Sequence, residues 1–185
     1  MKNTNIGAIT SPTIISIQSW IRDTSGKINS YILNSDEVNQ TKIHAATTAI
    51  GNVGSGVDVL MSYVLDSNKL YKNAGGLRIT AWGTGANNAN SKALKIYFGS
   101  QLLGSFALTA SQANNWKITA LIIRTAVSKQ DWSHDFLQTG TANQLSLLVG
   151  ESTQDETTAL TIKCTGEAVA NNDITQEGLL IEFLP

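Results

Sequence analysis

The sequence predicts an all-β protein, an antiparallel β-sandwich of jelly-roll type with an N-terminal arm or extra strands, and three observations carry that prediction. Two segments, Gly76-Leu77-Arg78-Ile79-Thr80-Ala81-Trp82-Gly83 and Ala93-Leu94-Lys95-Ile96-Tyr97-Phe98-Gly99, alternate apolar and polar residues beside glycines. Leu77, Ile79 and Ala81 share one face while Arg78, Thr80 and Trp82 share the other, the period of a half-buried strand. The same pattern recurs at short spacing along the chain, separated by polar turns and by no helical crossover, which favours a two-sheet sandwich over an α/β fold. Finally, a composition rich in Ser, Thr, Asn and Gly suits strands and turns better than amphipathic helices, which draw on Glu, Lys, Ala and Leu.

Taken in order, residues 13–21 are β-rich after Pro12, Asp23-Thr24-Ser25-Gly26-Lys27 signals a turn, and residues 28–33 return as a second strand. Two readings stand for the next stretch: Asn34-Ser35-Asp36-Glu37 caps a short helix running toward Ala46, or residues 41–50 form a strand. Gly51-Asn52-Val53-Gly54-Ser55-Gly56 reads as a flexible hinge, which sets an N-terminal arm or attachment segment at residues 1–50 and the sandwich at residues 51–185. Residues 57–65 alternate up to the Asp66-Ser67-Asn68 turn, the two opening segments follow, and Gly99-Ser100 connects tightly to a strand over 102–108. Residues 116–127 form a long strand with Ile118, Ala120 and Ile122 on one side and Leu121 and Ile123 on the other, so it is expected to be central and covered on both faces. Shorter strands over 132–138 and 144–149, an acidic loop over 151–156, a strand over 158–165 and a closing strand through Leu179, Ile181 and Phe183 complete the chain.

At 185 residues the chain can bury a core without disulfides or metals. Its formal net charge of −1 offers no basic footprint for a phosphate backbone, so nucleic acid is not an expected partner. The single cysteine, Cys164, sits in the apolar register of Leu160 and Ile162 and is expected to be a buried, inert thiol. The opening residues lack the apolar stretch of a secretory signal, and the most apolar run, 120–123, is far short of the roughly 20 residues that cross a bilayer. No membrane association is expected, and synthesis in a cytosol is.

No catalytic residue, cofactor or metal site is predicted. Ser133-His134-Asp135 contains the residue types of a hydrolase triad, but on a strand Ser133 and Asp135 point one way and His134 the other. His44 and His134 each lack a ligand neighbour at metal spacing. Glu151-Ser152-Thr153-Gln154-Asp155-Glu156 lacks the alternating acids and central glycine of a calcium loop and reads as solvated. The glycine clusters at 51–56 and 83–85 lack the Lys-Ser/Thr and following helix of a phosphate cradle.

Two binding surfaces remain. Trp82, beside Asn87, Asn88 and Asn90, has the aromatic face and amides that a glycan uses, while a structural role for the ring under a loop or against a subunit is the competing reading. Ile14, Ile15, Ile17, Trp20 and Ile21 are apolar enough to need a partner surface, either the chain's own core or a subunit or capsid contact.

The run from Gly76 to Thr84, the Ala/Asn loop after it and Lys92-Ala93-Leu94-Lys95-Ile96-Tyr97-Phe98-Gly99 resemble a segment of structural proteins of tailed bacteriophages. The resemblance extends to the preceding strand and to Ile122-Ile123-Arg124-Thr125, covers residues 57–183 and leaves the first fifty unmatched. It implies a virion location and a protein that decorates or cements the capsid, or forms a tail fibre or receptor-binding tip. It also implies a homotrimer whose partners are the major capsid protein or other virion proteins, with a host-surface glycan as a further partner. The apolar arm and the absence of heptads or fibre repeats lean toward capsid decoration, and a lectin-like carbohydrate-binding module is the alternative from another class.

Overall fold

The computed structural model describes residues 17–22, 28–33, 42–71, 73, 75–140 and 144–184. The chain divides into two compact units, Met1–Gln40 and Thr41–Pro185. In the first, β1 (Ile17–Arg22) and β2 (Ile28–Leu33) form an antiparallel pair with Ile17 opposite Leu33 and Arg22 opposite Ile28. Ile14 and Ile15 lie outside the described residues.

The second unit contains β3 (Lys42–Ala46), β4 (Ile50–Gly51), β5 (Gly56–Leu65), β6 (Gly76–Gly85), β7 (Lys92–Phe98) and β8 (Gln101–Leu108), followed by β9 (Asn114–Ala126), β10 (Lys129–Thr139), β11 (Gln144–Ser152), β12 (Leu160–Ala168) and β13 (Ile174–Leu184). A 7-stranded sheet runs β11-β10-β9-β6-β13-β3, with β4 also on β13, and a 4-stranded sheet runs β5-β12-β7-β8. Every pairing is antiparallel. Successive strands cross between the sheets in the order of a jelly roll: β3, β13, β6 and β9 make one half, and β5, β12, β7 and β8 the other. The β10–β11 hairpin is an insertion that widens the first sheet. The all-β sandwich predicted from alternation is therefore the observed fold.

Of that stretch, residues 42–46 and 50–51 are strand, while Asn34 to Glu37, where the helix reading began, lie outside the described residues. These strands belong to the second unit because they hydrogen-bond along β13, Ala46 opposite Leu179 and Gly51 opposite Thr175. The unit boundary accordingly falls at residue 40 and not at the 51–56 glycines. Those glycines are fastened: Asn52 is buried, its amide nitrogen donates to the carbonyls of Gly54 and Ala170, and its side-chain oxygen accepts from the Ile174 N–H at 2.9 Å.

Alternation directs the core. Leu77, Ile79 and Ala81 on β6, Ile118, Ala120 and Ile122 on β9 and Leu179 and Ile181 on β13 face Leu94, Ile96 and Phe98 on β7 and Ile162 and Cys164 on β12, all buried. Each large aliphatic side chain so buried contributes roughly 1.5–3 kcal/mol. Burial also pushes the Cys164 thiol up to about 12, as its inert placement requires. The outer face of β9 departs from expectation. Leu121 and Ile123 are only partly buried and line an open groove of about 500 Å³, because among the described residues no element of this unit crosses that side of the sheet.

Tryptophans fill the space above glycines on neighbouring strands. A Cβ at Gly178 would lie 2.0 Å from Trp82 Cζ2, one at Gly150 2.5 Å from Trp132 Cζ2, and one at Gly83 2.7 Å from Trp116 Cζ2. The glycine allows the indole to lie flat on the sheet, so the pair acts as one packing unit.

Candidate functional site

The loop end of the sandwich is the polar region singled out by the sequence. Trp82 stands on β6 on the outer face with Arg78 and Thr80, as alternation predicted, and is partly exposed. Its ring lies over Gly178 of β13, so at least one side of the indole serves packing. Asn87 is exposed. The side-chain amides of Asn88 and Asn90 both donate to the carboxylate of Asp173, Asn90 at 2.9 Å. That carboxylate also accepts the backbone N–H groups of Val169 at 3.2 Å and Ala170 at 2.8 Å. Burial opposes ionisation of Asp173, but donation from Asn88, Ala170, Asn90 and Val169 outweighs it and holds the carboxyl down to about 2. Below it the Lys92 side chain, 1% exposed, donates to the backbone carbonyls of Asn88 at 3.2 Å and Asn90 at 3.0 Å. Two of the three asparagines thus close the loop on Asp173, leaving Trp82 and Asn87 at the surface.

At the opposite end of β9, Arg124 and Glu156 form a buried ion pair, Nε to Oε1 2.6 Å. The Arg124 guanidinium also donates to Asn73, and Glu156 accepts from the Ser128 N–H and from Gln130 Nε2. The stretch over 151–156 is therefore only partly the solvated loop expected. Asp155 is exposed and held below the ordinary carboxylate range by the Thr157 hydroxyl and N–H, whereas Glu156 turns inward because Arg124 and the tight β9–β10 turn present donors to it. A buried pair of this kind fixes geometry more than it adds net stability.

Ser133, His134 and Asp135 separate across the sheet as the strand period requires. His134 is buried against Trp132 and Phe106, its Nδ1 2.7 Å from the Leu103 carbonyl, while Asp135 is exposed on the other face. His134 Nε2 has no hydrogen-bond partner among the described residues. His44 stacks on Tyr63 with ring centroids 4.7 Å apart. Among the described residues no group of three or more His, Cys, Asp or Glu is placed to hold a metal ion, and no helix is long and apolar enough to cross a membrane.

Ile17, Trp20 and Ile21 are on β1, with Trp20 opposite Ser30 and Ile21 opposite Asn29. The apolar surface the sequence did not single out is on β11, where Leu145, Leu147, Leu148 and Val149 are all exposed. Its apolar residues suggested only one more strand, and nothing local marked it as the end of a sheet.

No family model matches the chain, and no curated protein is similar to it in sequence. Among solved structures it is similar to the CBM2 module of the evolved Dit of Lactobacillus casei BL23 phage J-1, at 11% identity and a TM-score of 0.36 over 65% of this chain and 67% of that one. It is also similar to the structure of infectious bursal disease virus Gt strain, at 12% identity and a TM-score of 0.35 over 96% of this chain and 42% of that one. The chain thus spans less than half the length of the second. Both are weak likenesses to β-rich chains of a phage and a virus.

Proposed function

We propose that the protein is a non-enzymatic bacteriophage virion structural protein, a capsid decoration or cement protein that binds and stabilises the head shell. The observation that carries this reading is exposed apolar surface on strands at sheet edges: Val57, Val59 and Val64 on β5 and Leu145, Leu147, Leu148 and Val149 on β11 are each more than half exposed. Exposed apolar surface of this kind at sheet edges suits burial against other subunits. The bacteriophage setting comes from the resemblance of residues 57–183 to tailed-phage structural proteins. A cement role needs many modest contacts spread over a rigid body, and a jelly roll with apolar margins supplies them. The alternative, a tail fibre, receptor-binding tip or lectin-like module that reads a host-surface glycan, draws on Trp82 and Asn87, since the amides of Asn88 and Asn90 are occupied by Asp173.

The test is to mix the protein with purified capsids that lack it, then measure bound copies per capsid and the temperature at which the shell releases its genome. Saturable, stoichiometric binding that raises this temperature is expected. Absence of capsid binding together with Trp82-dependent adhesion to host cells would move the assignment to the tail.

A further inference from the structure

We infer that the free edge of β11 is a self-recognition surface: it pairs antiparallel with β11 of a second copy, so that the larger sheet runs on across a two-fold axis. The inference rests on the adhesive reading above for its setting, while its chemistry stands on the strand itself.

β11 is the terminal strand of its sheet, hydrogen-bonded on one side to β10, and it is 9 residues long. Gln144-Leu145-Ser146-Leu147-Leu148-Val149-Gly150 contains no charge and no proline. Edge strands of proteins that stay apart are blunted by charge, proline, bulges or shortness, because a free row of N–H and C=O groups templates another strand. β11 has none of these within that run, and its pairing with β10 is in unbroken register from Gln130–Ser152 to Gln138–Gln144. Its side chains are exposed to an unusual degree, Leu145 78%, Leu147 68%, Leu148 53% and Val149 70%.

A second copy is the occupant that fits. Directly opposed residues in an antiparallel pair share a face. Setting Leu147 opposite Leu147 of the other copy brings Leu145 opposite Val149 and Ser146 opposite Leu148. The outer face of both strands then becomes one apolar ladder, and no charge within the run meets a like charge. With nothing ionic to complement, the strand calls for a neutral, apolar, extended partner, and its own duplicate is one. On that face Leu137 of β10 lies opposite Leu145, and Val149 lines the groove that reaches Leu121 and Ile123 of β9 past Ser133 and Asp131, so the docked surface is more than a single strand wide. The joint would cover on the order of 1,000 Å² in total, enough to separate a specific contact from an incidental one. Two-fold, isologous joints are also the commonest kind in homo-oligomers. The resulting unit is a dimer, in contrast to the trimer that the phage resemblance implies.

The experiment is light scattering and sedimentation of the full chain across a concentration series, beside Leu147→Lys and Leu145→Lys, with urea unfolding as the check on folding. A concentration-dependent dimer is expected for the parent chain. Leu147→Lys sets two ammonium groups facing each other and is expected to weaken it about 100-fold or more, with the unfolding midpoint unchanged. Should either lysine variant fail to fold, Leu147→Cys carries the test: residues directly opposite hold their Cβ atoms about 4.5–5.5 Å apart, close to disulfide reach, so diamide is expected to give a covalent dimer. Thr161→Cys, exposed on β12 and away from the joint, is expected to form no covalent dimer under the same oxidant. The native Cys164 is buried and does not interfere. A parent chain that is monomeric at all concentrations overturns the inference, as does a trimer whose mass Leu147→Lys leaves intact or a Leu147→Cys variant that does not cross-link. Because no capsid is present, a β11 dimer that ignores capsids overturns the head-shell reading alone, and capsid binding by a monomer overturns this inference alone.

Discussion

The two edges of the larger sheet are built to opposite rules. At one, β3 and β4 divide the edge of β13 into pieces of 5 and 2 residues, separated by residues 47–49, beginning at Lys42 and lying beside register shifts at Ile181/Glu182 and Gln176/Gly178. At the other, β11 presents 9 residues with a charge-free stretch from Gln144 to Gly150 and no register shift against β10. Both edges belong to one sheet with one core, so the difference is not a matter of fold. A broken, bulged and lysine-started edge hinders further strand addition, whereas a long, regular and apolar one invites it. The protected edge is also fastened at its end, through Asn52 to Ile174 and through Asp173 to the loop over 88–90, while β11 depends on β10 alone within its sheet.

The largest effect is expected from unfastening the protected edge. Asp173→Ala leaves the partly buried amides of Asn88 and Asn90 and the N–H groups of Val169 and Ala170 without their acceptor. Hydrogen bonds to a charged acceptor contribute about 1.5–3 kcal/mol each, and because water reaches these partly exposed donors once the carboxylate is gone, the expected net loss is about 3 kcal/mol in urea unfolding. A loss below about 1 kcal/mol would show that the loops are held by other contacts. The same anchor has an acid limit. The folded pKa of Asp173, about 2, lies below the value near 3.9 of an unfolded aspartate. Its contribution is therefore complete above about pH 4 and is lost as the pH falls through about 2. An unfolding series from pH 5 to pH 1.5 on the parent chain and Asp173→Asn is expected to show the decline attributable to this residue in the parent and not in the variant.

Gly178 beside that edge is the next test. Gly178→Val puts a side chain where the Trp82 indole lies, and with Cζ2 only 2.0 Å from the added Cβ the ring must leave. The expected cost is about 1–3 kcal/mol, as for overpacking elsewhere, together with a change in Trp82 fluorescence. An unchanged spectrum would mean that the indole does not use the glycine as its seat.

What the sequence made legible follows from range. Strands, faces and core were readable from Leu77, Ile79 and Ala81 or Leu94, Ile96 and Phe98 because side-chain direction repeats every two residues and needs no partner to be seen. The separation of His134 from Ser133 and Asp135 onto opposite faces followed from the same rule, though not which face is buried. The polar anchors were not readable. Asn90 looked like a ligand for a sugar because it lies in a polar loop near a tryptophan, yet its amide partner is 83 residues away, and Asn52 meets Ile174 across 122 residues. Glu156 looked solvated because Arg124 is 32 residues distant. The edge position of β11 is likewise a property of strand order, which local alternation does not encode.

The smallest effect sharpens the comparison most. Ala45 is exposed on β3, opposite Leu180, and Ala45→Leu gives the protected edge one of the apolar side chains that β11 carries. If protection comes from shortness, the break at 47–49 and the lysine, an added leucine changes little: solution mass is expected to stay that of the parent chain, and stability to remain within about 0.5 kcal/mol. The β3 edge offers too few consecutive N–H and C=O groups to hold a second strand even when its surface is made stickier, and the register shift beside Glu182 turns what remains out of line. Higher-order association of Ala45→Leu, read by light scattering beside Leu147→Lys, would show instead that apolar side chains alone decide which edge associates, and that the length and regularity of β11 are incidental to its pairing.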